Sequence, residues 1–97
     1  MENINFSWDD NKAQKNLTKH KISFEEAKTV FGDKNARLIY DPDHSEDEER
    51  FLLLGLSYKL KILTVIHCCK DNENNIRIIS ARKSTKKEEK QYKEFLS

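Results

Sequence analysis

Residues 50 to 69, RFLLLGLSYKLKILTVIHCC, contain two apolar runs separated only by Ser57-Tyr58-Lys59. A linker this short between strand-like runs reads as a hairpin. The second run, KLKILTVIHCC, is apolar on both alternating faces, with Leu60, Ile62 and Ile66 opposing Leu63 and Val65. A strand that is apolar on both faces belongs in the middle of a sheet that is covered on at least one side. The rest of the chain must therefore supply flanking strands and a cover.

The flanking segments provide both. INFSW alternates Ile4, Phe6 and Trp8 on one face and ends at Asp9 and Asp10, either of which can cap a helix over about Asp10 to His20. Ser23 followed by Glu26 signals a capping box, and Phe24, Ala27, Val30 and Phe31 form the apolar stripe of a second helix closed by Gly32. From there the hydrophobic period changes to two. ARLIY is a strand, DPDHSED with the single proline is a loop, and IRIISAR after the turn signal KDNENN is the last strand. Ser84 or Thr85 opens a C-terminal helix whose stripe is Tyr92, Phe95 and Leu96. The expected order is β-α-α-β-β-β-β-α, an α+β fold with a largely antiparallel sheet, helices mainly on one face, and the other face open for a ligand. With 97 residues, 36% of them apolar, the chain is expected to form one domain over residues 1–97 with a thin core.

The formal net charge of +1 conceals a polarity. Residues 40–50, YDPDHSEDEER, hold six acids against one arginine, whereas Arg82 to Lys93 holds six bases against two acids. A near-neutral sum can thus hide a basic face suited to a polyanion. No run reaches the roughly 18 apolar residues of a membrane span, and the N-terminus MENINFSWDD lacks the regions of a signal peptide. A cytoplasmic location without membrane attachment is the expectation. Cys68 and Cys69 are adjacent, so a strand would turn them to opposite faces; a metal pair or redox thiol is weighed against two small core residues, and the missing CxxC or Cys/His spacing favours the latter.

The last strand holds the most informative cations. Strict alternation turns Ile76, Ile78, Ser80 and Arg82 one way and Arg77, Ile79, Ala81 and Lys83 the other. Arg77 must then reach either a cross-strand carboxylate, such as Glu48 or Glu49, or an anion on the open face. Arg82 stands where strand becomes helix, so its guanidinium and the helix N-terminal amides could share one phosphate. Lys19-His20-Lys21 is a second constellation: like charge lowers the proton affinity of a histidine between two lysines and favours a base, whereas a cationic helix C-terminus would suit the dipole alone. His44 is expected to be solvated and His67 to be a satisfied core histidine. The lysines of KSTKKEEKQYK, including Lys83, Lys86 and Lys87, form either a solvated helix face or an electrostatic guide for nucleic acid. GxGxxG, Walker A, HExxH and CxxC do not occur, so nucleotide-cofactor and zinc chemistry have no sequence support.

FSWDDNKAQKNLTKHKISFEEAKTVFGD, ERFLLLGLS and RIISARKSTKKEEKQY, in this order and over nearly the whole chain, resemble the BrnT family, small toxins of type II toxin-antitoxin modules with a RelE-like ribonuclease fold. The carrying motifs are WD-x-x-K-x-x-x-N-x-x-KH-x-x-SF, ER-x-x-x-x-G-x-S and R-I-I-S-A-R. The resemblance implies RNA cleavage that inhibits translation and neutralisation by a BrnA-like antitoxin. It also implies a complex, expected to be a heterotetramer, that binds promoter DNA through the antitoxin. It singles out Lys19, His20, Arg50, Arg77, Ser80, Arg82 and Tyr92, with Lys21 standing where such sequences commonly have glycine. Catalysis is expected to need no metal or other cofactor. Arg77 and Arg82 would stabilise the phosphate, Lys19 or His20 would transfer the proton, and Tyr92 would orient or stack RNA. Lys21, Arg50, Ser80, Lys83, Lys86 and Lys87 would bind RNA. The alternatives are a non-catalytic RNA- or ribosome-binding inhibitor and an inactive protein that only binds its antitoxin.

Overall fold

In the computed structural model, which describes residues 4–41, 43, 48–70, 74–94 and 96, five strands form one sheet. The expected roles of His44 and Phe95 fall outside the described residues. The elements are β1 (Asn5–Ser7), α1 (Asp10–His20), α2 (Phe24–Thr29) running into a single 3-10 turn (Val30–Gly32), β2 (Arg37–Asp41), β3 (Arg50–Leu56), β4 (Ile62–Lys70), β5 (Asn75–Lys83) and α3 (Lys86–Glu94). The strand order is β1-β5-β4-β3-β2. β4 lies at the centre, as its two apolar faces require. Only β1 pairs in parallel, against β5; the other neighbours are antiparallel.

Local chemistry sets the element ends. Asp9 caps α1 by accepting the N–H groups of Asn11 and Lys12 at 2.8 and 3.1 Å. Ser23 Oγ caps α2 by accepting Glu26 N–H at 3.0 Å. The capping box is only half formed, because the buried Glu26 carboxylate turns inward and accepts from Ser57 Oγ at 2.8 Å. That bond ties α2 to the turn of the central hairpin. The hairpin connection is five residues, Ser57 to Lys61, not the three expected. Ser57 N–H donates to Lys61 O at 2.8 Å and Leu60 N–H to Ser57 O at 2.9 Å, while Leu60 takes a left-handed φ of 62°. Leu60 therefore leaves the strand alternation and is exposed.

The main core lies between the sheet and the α1–α2 segment. Ile22, Phe24, Ala27 and Val30 pack on Leu53, Leu63, Val65, Ile76, Ile78 and Ala81. Edge-on aromatic pairs flank them, Phe6 with Phe31 at 5.1 Å and Trp8 with Phe24 at 5.8 Å. Each large apolar side chain buried here contributes about 1.5–3 kcal/mol. Gly55 permits a close approach: a Cβ there would stand 2.7 Å from Val30 Cγ1 and 3.1 Å from Ala36 Cβ. The backbone around Asp33 can therefore lie against β3, where Asp33 Oδ2 accepts Leu56 N–H at 2.8 Å.

α1 and α2 share one face of the sheet, and α3 is the exception to that layering. Its Glu88 bonds Thr64 Oγ1, which points away from the α1–α2 core, so α3 lies on the opposite face of the sheet. At its far end Tyr92 is buried and donates its hydroxyl to Asp33 Oδ2 at 2.5 Å. The face expected to be open is thus half covered, from the Leu54–Thr64 side.

Candidate active site

The two sheet arginines expected on opposite faces lie on the same face. β5 pairs Ile78 with His67 and Ser80 with Ile66, leaving Ile79 as an extra residue in a bulge. One extra residue reverses the alternation of everything beyond it. Without it Ser80 and Arg82 would point into the α1–α2 core; with it Ala81 does, fully buried, and Arg82 emerges on the side of Arg77. Burying an unpaired guanidinium costs several kcal/mol, so once α1 and α2 cover the Ile76 and Ile78 face of β5 the bulge keeps Arg82 out of the core. Cross-strand rows carry the same face outward: Arg77 pairs with Cys68, Cys68 with Arg50 and Arg50 with Asp41, while Arg82 pairs with Thr64, Thr64 with Leu54 and Leu54 with Arg37. Ser80, Ile66, Leu52 and Ile39 make the row between. Four arginines therefore frame one partly apolar face.

Arg82 is held rather than free. Its NH1 and NH2 donate to the two carboxylate oxygens of Glu88 at 2.7 and 3.1 Å. Glu88 Oε1 also accepts Thr85 N–H at 2.8 Å and Thr64 Oγ1 at 3.0 Å, while Glu88 N–H donates to Thr85 Oγ1 at 3.2 Å. This is a complete capping box at the start of α3, with an arginine added. The slot between guanidinium and helix N-terminus, expected for a phosphate, thus holds a carboxylate from within the chain. Burial alone would raise the Glu88 pKa, but the bonds from Arg82, Thr85 and Thr64 bring it down to about 2. Glu88 in turn holds the Arg82 guanidinium above its ordinary pKa, against the effect of burial.

Arg77 takes the cross-strand partner weighed for it, an ion pair with Glu48. A hydrogen bond with the Cys68 side chain, together with the nearby Glu48 carboxylate, raises its pKa despite burial. Its Nε is buried with no hydrogen-bond partner among the described residues. Cys68 is buried and Cys69 half-buried, both free and on opposite faces, consistent with the small-core-residue reading.

α1 delivers Lys19 and His20 to the edge of β5. Beyond the short β1, that edge leaves the Ala81 backbone without a strand partner, and Asn16 replaces one. Its Oδ1 accepts Ala81 N–H at 3.1 Å, and its Nδ2 donates to Ala81 O at 2.8 Å and to Ile22 O at 2.9 Å. His20 lies one turn further, about 6 Å along the helix and on the same side as Asn16; it is half-buried, and Lys19 is exposed. Lys21 caps the helix in the left-handed region at φ 62°, its N–H donating to Leu17 O. The turn that glycine would favour thus forms with lysine.

The remaining candidates divide. Ser80 lies on the arginine face and Lys86 and Lys87 are exposed on the first turn of α3, whereas Lys83 pairs with Leu63 and points to the opposite face. Tyr92 is not placed to stack on RNA, because its ring is 3% exposed and its hydroxyl is committed to Asp33. Burial and the Asp33 carboxylate push its pKa up to about 12. Asp33 lies below its ordinary pKa, because the bonds from Tyr92, Leu56 and Asn35 outweigh its burial. His67 is buried, as expected, with Nδ1 at 3.3 Å from Val65 O and its ring against Phe31 and Phe51; burial lowers its pKa. Among the described residues, no three His, Cys, Asp or Glu side chains converge as a metal site would require, and no helix is long and apolar enough to cross a membrane. Sequence reasoning missed Arg37, Glu88 and the strand-capping role of Asn16. For Glu88 the signal was available, since Thr85-x-x-Glu88 is itself a capping-box spacing.

The 1.1 Å crystal structure of the ribonuclease toxin BrnT of Brucella abortus is similar, with a TM-score of 0.61 and 24% identity over 89% of this chain and 100% of that one. The architecture is therefore one also used by a small ribonuclease toxin. The family model described as the ribonuclease toxin BrnT of type II toxin-antitoxin systems matches residues 8–88, and the chain belongs to that family. No curated protein matches it. The matched span includes α1, the bulge and Glu88.

Proposed function

We propose that this protein is the toxin of a type II toxin-antitoxin module that cleaves RNA on the arginine-bearing face of its sheet, without metal, in the manner of RelE-like ribonucleases. The observation that carries this reading is the bulge at Ile79, which turns Arg77 and Arg82 to one face with Arg37 and Arg50. In the reaction a ribose 2′-hydroxyl loses its proton and attacks the adjacent phosphorus. A 2′,3′-cyclic phosphate forms, and the 5′-oxygen leaves with a proton. Such a reaction asks for a proton acceptor, cations for the crowded phosphate and a proton donor. Lys19 or His20 transfers the proton at the β5 edge, Arg77 and Arg82 stabilise the phosphate, and Arg50, Ser80, Lys21, Lys86 and Lys87 bind the flanking RNA. Lys83 faces the other way and has a lesser part. Tyr92 serves by anchoring α3.

Cleavage of this kind inhibits translation in the cytoplasm, and a BrnA-like antitoxin neutralises it in a heterotetramer that binds promoter DNA. The test is controlled expression in a bacterium of the wild type beside Arg82→Ala and Arg77→Ala, with RNA ends mapped and activity referred to folded protein. The wild type should arrest growth and create new RNA ends, and each substitution should reduce cleavage by about a hundredfold. The carboxylate partners of both arginines favour a second reading, in which the face binds RNA or a ribosome without cutting. Arrest without new ends would select it.

A further inference from the structure

We infer that Glu88 is a positioning residue for the ribonuclease reaction: it fixes the Arg82 guanidinium for the transition state while weakening the hold of Arg82 on RNA in the ground state. The inference rests on the proposal that Arg82 contacts the scissile phosphate. It starts from geometry. A guanidinium has five N–H donors in a rigid fork. Glu88 occupies one on each terminal nitrogen, from one side and with both oxygens. NH1 also donates to Lys83 O at 3.5 Å, so the Nε–H and the second hydrogen on NH2 are left, one edge on which a phosphate can bind without displacing Glu88.

Glu88 is itself immobilised. Thr85 N–H and Thr64 Oγ1 bind its carboxylate, and its own N–H is bound to Thr85 Oγ1. Thr64 is fully buried in the central strand, and Ser84 Oγ, 2.8 Å away, holds its hydroxyl in place. The order of support runs from the central strand to Thr64, to Glu88, to Arg82. A long arginine on a strand end would otherwise sample many rotamers, and a preorganised donor is worth far more at a transition state than a wandering one. The carboxylate also cancels most of the guanidinium charge as RNA meets it from a distance, so the arrangement favours geometry over affinity.

These two effects have opposite signs, and a merely structural salt bridge would produce neither. Glu88→Gln keeps a residue able to complete the capping box while removing the charge. Thr64→Val, nearly isosteric, loosens the carboxylate without changing the charge of the pair. The measurement is single-turnover cleavage and equilibrium binding of a short fluorescent single-stranded oligoribonucleotide by the purified full chain, with folding checked by thermal melting.

For Glu88→Gln the maximal cleavage rate should fall about tenfold or more, RNA should bind more tightly, and the salt dependence of binding should steepen by about 0.7 in logarithmic slope. Thr64→Val should lower the rate less and leave that slope unchanged. An unchanged rate would show Glu88 to be structural only, and a raised rate would show it to be a blocking anion that RNA displaces; either overturns the inference. Should Glu88→Gln fail to fold, Thr64→Val decides by its rate alone. Arg82→Ala in the same assay separates the two levels: if it cleaves like wild type, the assignment of Arg82 has failed, whatever Glu88 does.

Discussion

Tyr92 and Glu88 occupy the two ends of α3, and each is a titrating side chain whose pKa has moved away from neutrality. Glu88 is lowered to about 2 from 4.5. Its contribution is fully present above its ordinary value and is lost as the pH falls from there through about 2. Tyr92 is raised from 10.0 to about 12, so its contribution is present below 10 and disappears as the pH rises through about 12. Denaturant unfolding across the pH range should therefore show an acid limb that Glu88→Gln flattens and an alkaline limb that Tyr92→Phe flattens. At neutral pH Tyr92→Phe should cost about 1.5–3 kcal/mol, the range for hydrogen bonds to charged groups. Superimposable profiles for wild type and both variants would contradict the hydrogen-bond assignments at both ends of the helix.

The elements were legible in the sequence where they depend on their own residues. The span of α1 follows from the Asp9 cap and the apolar spacing, and the central place of β4 follows from its two apolar faces. What was not legible depends on partners distant in sequence. The bulge exists because α1 and α2 cover one side of β5, and nothing within IRIISAR names that side. The far end of α3 is anchored by Asp33, 59 residues from Tyr92, which accepts its hydroxyl. Asn16 lies in the same category: from spacing it is one more residue of a helical face, yet it serves as the missing strand beside Ala81. Replacing it with alanine removes three hydrogen bonds and strands buried backbone groups, which should cost about 2–4 kcal/mol. Amide exchange at Ala81 should accelerate in parallel. Exchange that stays slow in Asn16→Ala would mean that another group protects that edge.

Across the whole molecule, the sequence identified most of the cations of the candidate site and weighed the Arg77–Glu48 pair, but not the pairing of Arg82 with Glu88. The +1 net charge reflects local cancellation as well as an acidic loop, since Arg77 and Arg82 each carry a carboxylate on their own face. The bulge gives that face a property more familiar from genes than from proteins, a reading frame. Ile79 keeps the cations on either side of it in phase, so losing one codon there is a frameshift in space: every other residue survives, but half of the strand is now read on the wrong side. Deletion of Ile79 should therefore yield a chain several kcal/mol less stable to denaturant, the cost of forcing a charged end into the core. Deletion combined with Arg82→Leu should recover much of the stability and none of the RNA cleavage. Insertions and deletions within this strand should accordingly be harsher on this chain than substitutions, because each one turns every residue beyond it to the other face.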